Sequence, residues 1–364
     1  MKVLHILNGL NNGGVESFLL NLSKALEKSD ITMDFLLRSD KNDPEKVRYF
    51  EEKGGCIYYL PPFPRSIIKN YLALKKFLKE NGNCYDVIHI HANSLVYFFP
   101  IRLSCHLCLD SKVIVHSHNT KGFSFISTIM NTINKHRLNK LSVTKLACSD
   151  MAGKWMFEKD FEVLPNSIDI NVYRTTSEEK NNLKKKYGVS EKRIIVFVGR
   201  LEEQKNPLFL VPVMKKLCDN KSEIHLVYAG SGSMENKLNE AICKVGLTDH
   251  VHLLGNFDKV SLLLKVADIF VMPSLFEGLS IAAIEAQCSG IPSIMSDHVS
   301  EETILCENAI RLELDEKLWE KKILDLLEKD RFCENNYRVI SDSGYGLESL
   351  RKKISEIYKD KEIV

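Results

Sequence analysis

Two glutamates, Glu277 and Glu285, stand eight positions apart in the stretch VMPSLFEGLSIAAIEAQCSGIP. An apolar run, residues 269–272, precedes them and closes at Pro273; Gly290 and Pro292 follow. That order predicts a strand, a sharp turn, a short helix and a stop. Glu277 then sits on the turn and Glu285 two helical turns along. The first helical amides, near Gly278 to Ile281, have no preceding carbonyl to donate to, and the helix dipole makes them partly positive, so they suit an anion. Upstream, Arg200 and Lys205 lie five positions apart. Two such cations can clamp a diphosphate and stabilise the charge on a leaving phosphate. One carboxylate can take both hydroxyls of a ribose, and a second can hold sugar hydroxyls. No DxD occurs in the chain, so a metal bridging the diphosphate is not suggested. The plain alternatives are a solvated loop for the cations and a surface-paired helix carboxylate for Glu285.

Other polar groups fall at predicted strand ends. Residues 2–7 read as a strand, followed by a turn rich in asparagine and glycine that ends in Gly13-Gly14. From Val15 the period becomes helical, with Val15, Phe18, Leu19, Leu22 and Leu26 on one face. Gly13 and Gly14 would let a diphosphate approach the amides of the helix start. The turn is not GxGxxG, and a tight turn without a ligand explains it equally well. Two further strands, residues 86–90 and 113–115, run into His91-Ala92-Asn93 and His116-Ser117-His118-Asn119. Carboxyl ends of strands in open α/β sheets face the ligand crevice, so histidines are delivered there. His116 and His118 share a face by the strand period of two. Histidines bonded at a sheet rim are the alternative. In the later half, strands at 194–198, 224–229 and 251–254 end in Gly199-Arg200, in Gly230-Ser231-Gly232-Ser233 and in Gly255-Asn256-Phe257.

Strand and helix signals alternate through the whole chain, predicting α/β architecture. An amphipathic helix over 67–78 is expected to turn Ile67, Ile68, Tyr71, Leu74 and Leu78 to one side. Residues 123–141 combine Phe123, Phe125, Ile129 and Ile133 with Lys135, His136, Arg137 and Lys140, suiting either a core-facing helix or a membrane or acceptor surface. The length, 364 residues, fits about two domains. The boundary is expected near 168–190, where residues 175–186 are charged and poor in apolar side chains. Net charge is +2, which gives no signal for nucleic acid; residues 1–170 carry +5 and the remainder −3. A basic first half could favour an anionic surface. No apolar run reaches the roughly 18–20 residues of a membrane span. The first residues lack the apolar core and cleavage site of a signal peptide. The ten cysteines lie mostly in apolar segments, as free thiols do in a reducing cytosol. Cys105 and Cys108 form a single CxxC without a second ligand pair, so no zinc site is expected.

These residues carry a resemblance. The chain resembles a retaining glycosyltransferase of family four, with the two-Rossmann GT-B fold. The E-x7-E signature is Glu277 to Glu285, the GR…K element is Gly199-Arg200 with Lys205-Asn206-Pro207, and AGxG is Ala229-Gly230-Ser231-Gly232. The N-terminal GG is Gly13-Gly14, and HSHNT, His116 to Thr120, is similar to enzymes that build bacterial capsular or secreted polysaccharide. In this order the motifs span residues 3 to about 297. Two departures stand out. The interdomain PNGID is here Pro165-Asn166-Ser167-Ile168-Asp169, which puts the backbone angle at the hinge in question. Ser233 replaces a proline, a mild change.

The resemblance implies two Rossmann-like domains facing across a cleft. An acceptor domain would span 1–168 and a nucleotide-sugar domain 169–342, with residues 343–364 crossing back as a helix on the first. It implies catalytic roles for Arg200, Lys205, Glu277 and His118. Donor contacts would come from Gly13, Gly14, Gly230, Gly232, Asn256, Phe257, Gly278, Leu279, Ser280 and Glu285, with Glu285 on the ribose and Asn256-Phe257 bordering the base. It further implies a nucleotide-sugar donor, UDP-sugar first, a lipid-linked oligosaccharide acceptor, no cofactor, no metal, and a cytoplasmic site with peripheral contact at the inner membrane face. Competing expectations are a sugar-nucleotide epimerase on the same fold and a non-catalytic partner subunit. An NAD-dependent dehydrogenase lacks its GxGxxG.

Overall fold

The structure is a computed structural model that describes residues 1–11, 13–119, 125–220, 223–329 and 331–360. Thr120 and Phe123, singled out above, lie outside them. Two compact units form. The first comprises Met1–Ser167 and the residues from Leu347 onward; the second is Ile168–Gly346.

In the first unit strands and helices alternate: β1 (Lys2–Leu7), α1 (Gly14–Leu26), β2 (Thr32–Leu37), α2 (Pro44–Glu52), β3 (Ile57–Tyr59), α3 (Ile67–Asn81), β4 (Val87–Ala92), α4 (Phe99–Leu107), β5 (Lys112–Ser117), α5 (Phe125–Leu138), β6 (Thr144–Ala147), α6 (Asp150–Met156) and β7 (Glu162–Val163). All pairings are parallel, in the order β3-β2-β1-β4-β5-β6-β7. Parallel strands covered on both faces read as apolar runs, and five of the six residues in β1 and in β2 are buried. The order reverses between β1 and β4, so a ligand crevice is expected beyond their carboxyl ends.

The second unit runs through α7 (Ile170–Tyr173), α8 (Ser177–Lys186), β8 (Arg193–Val198), α9 (Leu210–Asn220), β9 (Ile224–Ala229), α10 (Glu235–Lys244), β10 (Val251–Leu253), α11 (Val260–Val266), β11 (Ile269–Met272), α12 (Ile281–Cys288), β12 (Ser293–Ser296), β13 (Ala309–Leu312), α13 (Glu316–Lys329) and α14 (Asn336–Ile340). Its parallel sheet is ordered β10-β9-β8-β11-β12-β13, reversing between β8 and β11. The chain then returns to the first unit as α15 (Leu347–Lys359). There Leu350, Ile354 and Tyr358 join the core under α1. Lys112 donates to the carbonyls of Ile357 and Asp360 at 2.7 and 2.5 Å.

Several segments differ from their sequence expectation. The charged stretch 175–186 is not an open linker but α8 of the second unit. Lys180 and Lys184 reach Asp268 at 3.1 and 2.8 Å, with all three side chains largely enclosed. The same carboxylate accepts from the Ile194 amide at 2.8 Å. Burial alone would raise the Asp268 carboxyl; the two lysines outweigh it and hold it below its ordinary range. In α3 the buried side is Asn70, Leu74 and Leu78, while Ile67, Ile68 and Leu72 are 52%, 75% and 58% exposed. In α5 two asparagines are buried beside the apolar Leu138. Asn131 accepts from the Leu95 amide at 2.9 Å and donates to the Trp155 carbonyl at 3.0 Å, and Asn134 donates to the Leu95 carbonyl at 2.8 Å. Ile129 and Ile133 are left exposed. Helix α4 and strand β13 carried no clear signal in the sequence. Ser167 is absent from the residues with positive φ, so this turn does not require glycine.

Candidate functional site

In the second unit three strand ends interlock. The Gly199 amide donates to the Ala229 carbonyl at 3.0 Å, and the Gly230 amide to the Gly255 carbonyl at 2.7 Å. The Leu201 amide then meets the Ser231 carbonyl at 2.9 Å. Gly199 and Gly230 have φ of 152° and 146°, a region glycine alone enters readily. A Cβ on Gly230 would strike the Gly199 carbonyl, and one on Gly232 the Leu201 backbone. Close approach of three loops therefore explains these glycines. Ser231 donates to Asn256 Oδ1 at 2.7 Å, and Ser233 donates to Glu202 from both its amide and hydroxyl at 2.9 and 2.6 Å. Asn256 is exposed, while Phe257 packs against the core around Val196 and Ala229.

The loops after β8 and β11 meet through Lys205 and Glu277. Lys205 Nζ stands 2.5 Å from Glu277 Oε2, with the side chains 13% and 15% exposed. The backbone supports the pair: the Leu275 amide donates to the Gln204 carbonyl at 2.8 Å, and Gln204 Nε2 to the Phe276 carbonyl at 3.2 Å. Glu277 is pinned on its other side by its amide to His298 at 3.3 Å and its carbonyl from Ser300 at 3.1 Å. Arg200 is exposed at the end of β8. Gly278 and Leu279 are half-buried and Ser280 is buried. Ser280 precedes α12 without a side-chain cap, so the first amides of the helix are not taken by it.

Glu285 does not join the Lys205–Glu277 pair. Its Oε1 accepts from the Tyr173 hydroxyl at 2.6 Å. Burial pushes the Glu285 carboxyl up to about 7, against the opposing pull of the Tyr173 hydrogen bond. Sequence reasoning missed Tyr173, which lies 112 positions away with no local motif to mark it.

In the first unit a pocket of about 280 Å³ opens beyond β1 and β4, lined in part by Gly13, Gly14, Arg38, Asn93, His118 and Asn166. Beneath it five histidines, His5, His89, His91, His116 and His118, share one sheet face. The register pairs His5 with His89 and His91 with His116. His5 Nδ1 meets His91 Nε2 at 3.0 Å, and His91 Nδ1 meets His118 Nε2 at 2.9 Å. A second chain links the Tyr358 hydroxyl to His89 Nδ1 at 2.9 Å and His89 Nε2 to His116 Nδ1 at 3.3 Å. Burial pushes His5 and His118 down to about 3 and the other three well below 6.5, so all five are neutral. Each neutral ring has one donor and one acceptor, so the first chain has two directions. In one, His118 Nδ1 carries a proton; in the other it is an acceptor and His5 Nε2 carries the proton. Neither end atom has a hydrogen-bond partner among the described residues. Two trios place nitrogens within 4.8 Å of one another, as metal ligands would be. However, the rings pack face against face, stacked for His89–His91 with centroids 4.3 Å apart and tilted by 38° for His116–His118 at 4.1 Å. Ring-to-ring hydrogen bonding fits that packing better than edge-on convergence upon one ion.

Sequence reasoning found His116 and His118 and overlooked His5 and Arg38. Arg38 directly follows β2, so the strand-end rule that found the histidines could have found it.

Comparison with known proteins follows the same division of the chain. Residues 12–172 match the family model described as Glycosyltransferase Family 4, and residues 179–342 match Glycosyl transferases group 1. The chain is 31% identical over 317 residues to EpsF of Bacillus subtilis (strain 168), described as a glycosyltransferase, covering 82% of this chain and 80% of that protein. It is 27% identical over 338 residues to the Escherichia coli UDP-Gal:alpha-D-GlcNAc-diphosphoundecaprenol alpha-1,3-galactosyltransferase, covering 83% of each. Among solved structures, HepE of Anabaena in complex with UDP and glucose aligns with a TM-score of 0.79 at 17% identity, over 98% of this chain and 99% of that one. At that identity the shared property is the fold.

Proposed function

The chain belongs to the family 4, group 1 glycosyltransferases, with their two Rossmann-like domains of the GT-B class, and from that premise we propose that it is a metal-independent, retaining enzyme of bacterial surface polysaccharide synthesis. It moves a sugar from a nucleotide-sugar, a UDP-sugar, to a lipid-linked oligosaccharide. The observation that carries this reading is the Lys205–Glu277 pair, 2.5 Å apart at the approach to α12. It holds an ammonium where a leaving diphosphate would arrive beside Gly278 to Ser280, the segment that leads into the free N-terminal amides of α12. Arg200 and Lys205 stabilise the charge on the departing nucleoside diphosphate. Glu277 positions the sugar, and Glu285 holds the ribose while Tyr173 orients its carboxylate. Gly230, Gly232 and Asn256 shape the nucleotide side. In the first unit His118 meets a sugar hydroxyl and Gly13-Gly14 a phosphate. No carboxylate is assigned as a nucleophile. The acceptor attacks the face the leaving group vacates, and a phosphate oxygen takes its proton.

The donor and acceptor classes are supported by the Escherichia coli relative, whose name specifies a UDP-sugar and a diphosphoundecaprenol-linked acceptor. No helix among the described residues is long and apolar enough to cross a membrane. Peripheral contact at the cytoplasmic face is supported by exposed Ile129 and Ile133, near Lys135 and Arg137, and by Ile67, Ile68 and Leu72 beside Lys69 and Lys75.

Transfer from a panel of UDP-, GDP- and ADP-sugars to a lipid-linked acceptor tests the reading. Acceptor-dependent release of UDP, insensitive to EDTA, with the product keeping the donor's anomeric configuration, is the expected result. A sugar isomer formed without acceptor would identify an epimerase instead.

A further inference from the structure

Among the described residues Arg38 has no counter-charge. It follows β2, its amide donating to the Asn8 carbonyl at 3.0 Å and its carbonyl accepting from Phe63 at 3.3 Å. Its guanidinium lies 4.3 Å from the Tyr97 ring centre and 5.2 Å from that of Phe63. Those rings are themselves 4.5 Å apart. Tyr97 is fixed by its hydroxyl donating to Asn70 Oδ1 at 2.7 Å. Buried Asn70 donates in turn to the Pro61 carbonyl at 2.5 Å. The aromatic pair therefore sets the guanidinium's position and shields its faces from water. No hydrogen bond or ion pair to a described residue engages its five N–H donors. The nearby Asp40 is 3.6 Å from Arg65 instead. The pocket that Arg38 lines holds one carboxylate, Glu16, which accepts from the Asn11 amide at 3.2 Å. Otherwise its polar lining is neutral, chiefly asparagines and His118.

A desolvated cation left unpaired is costly, and a planar fork held in place matches the geometry of a phosphate. We propose that Arg38 is the anchor of a phosphate-binding subsite in the first unit's pocket, its aromatic cradle presenting the fork to a phosphate or diphosphate group. Two ligands of the proposed reaction bear that chemistry: the diphosphate of a lipid-linked acceptor and the diphosphate of the donor. Only this choice of source rests on the transferase reading.

The test uses the full chain. Inorganic pyrophosphate is titrated by calorimetry into an Arg200→Ala, Lys205→Ala parent, where both of the second unit's diphosphate cations are removed, and into the same parent with Arg38→Met or Arg38→Lys. Methionine keeps the length over the rings without charge; lysine keeps charge without the fork. At least tenfold weaker binding with methionine, and an intermediate loss with lysine, is expected. Pyrophosphate binding that is unchanged in both variants overturns the subsite. Steady-state transfer by Arg38→Met alone then separates the sources. A raised acceptor KM with unchanged donor KM assigns the acceptor's diphosphate; a raised donor KM alone assigns the donor's. If no donor and acceptor pair supports transfer while pyrophosphate binding still depends on Arg38, the transferase reading fails and the subsite stands. Should the methionine variant not fold, lysine decides: binding equal to the parent overturns the proposal.

Discussion

Lys205 and Glu277 neutralise each other in the structure, so each should be felt when the other is removed. Lys205→Ala removes a charge-stabilising contact in the transition state and leaves Glu277 enclosed without its partner. A fall in kcat of at least about tenfold is expected, in the range usual for one such contact. Glu285 offers a second test at this scale. Its carboxyl titrates near 7, whereas an ordinary one titrates near 4.5. Holding a ribose by two accepted hydroxyls requires the carboxylate, so donor KM should rise as pH falls through about 7. Tyr173 donates to Glu285 and so favours the charged form. Tyr173→Phe should therefore move the rise in donor KM to higher pH, and a pH series of donor KM in both proteins checks it. The motifs named Lys205 and Glu277 separately, one for the diphosphate and one for the sugar, and did not show that the two pair with each other. Tyr173 was not, because a side-chain contact across 112 positions leaves no local pattern.

Elements with one clean period were read well from the sequence. Strands β1 and β9 and helix α1 fall where apolar periodicity placed them. Elements whose buried contacts are polar were misread. Helix α8 packs through Lys180 and Lys184, and α5 turns Asn131 and Asn134 inward along with Leu138, so hydropathy gave the wrong inward face or none. Two predictions belong here. Asp268→Ala would remove the carboxylate that two enclosed ammonium groups share and should cost about 3–5 kcal/mol, read as a lower urea midpoint. The histidine face should make stability pH-dependent. Its folded-state values lie below 6.5, so the unfolded chain takes up protons first as pH falls. The contribution is complete above about 6.5 and is lost toward about 3, at up to about 1.4 kcal/mol per pH unit for each ring. Urea midpoints measured between pH 7.5 and 5 should fall, and His116→Gln should flatten that fall. An equally steep profile in the variant would remove the histidines from the explanation.

At the scale of the whole molecule, the chain leaves its first unit at Ser167 and returns to it at Leu347. Two alternating α/β halves could be read from sequence because each repeats the strand–glycine–helix plan. The return rests on three inward residues of α15 and on Tyr358 bonding His89, contacts that a terminal amphipathic helix does not announce. Ending the chain after Gly346 strips that cover from α1 and the histidine face. The first unit's thermal transition should fall while UDP binding by the second unit persists; a single unchanged transition would contradict this. The acceptor was the least legible part of the function, since the motif residues of the first unit, Gly13-Gly14 and His118, were read as contacts to phosphate and sugar and none was assigned to it. The central claim concerns transfer itself, and acceptor-dependent UDP release, with and without Lys205, tests it most directly. The account predicts release from a UDP-sugar only when a lipid-linked acceptor is present, reduced at least about tenfold in Lys205→Ala. Equal release by the variant, or release that ignores the acceptor, would contradict it.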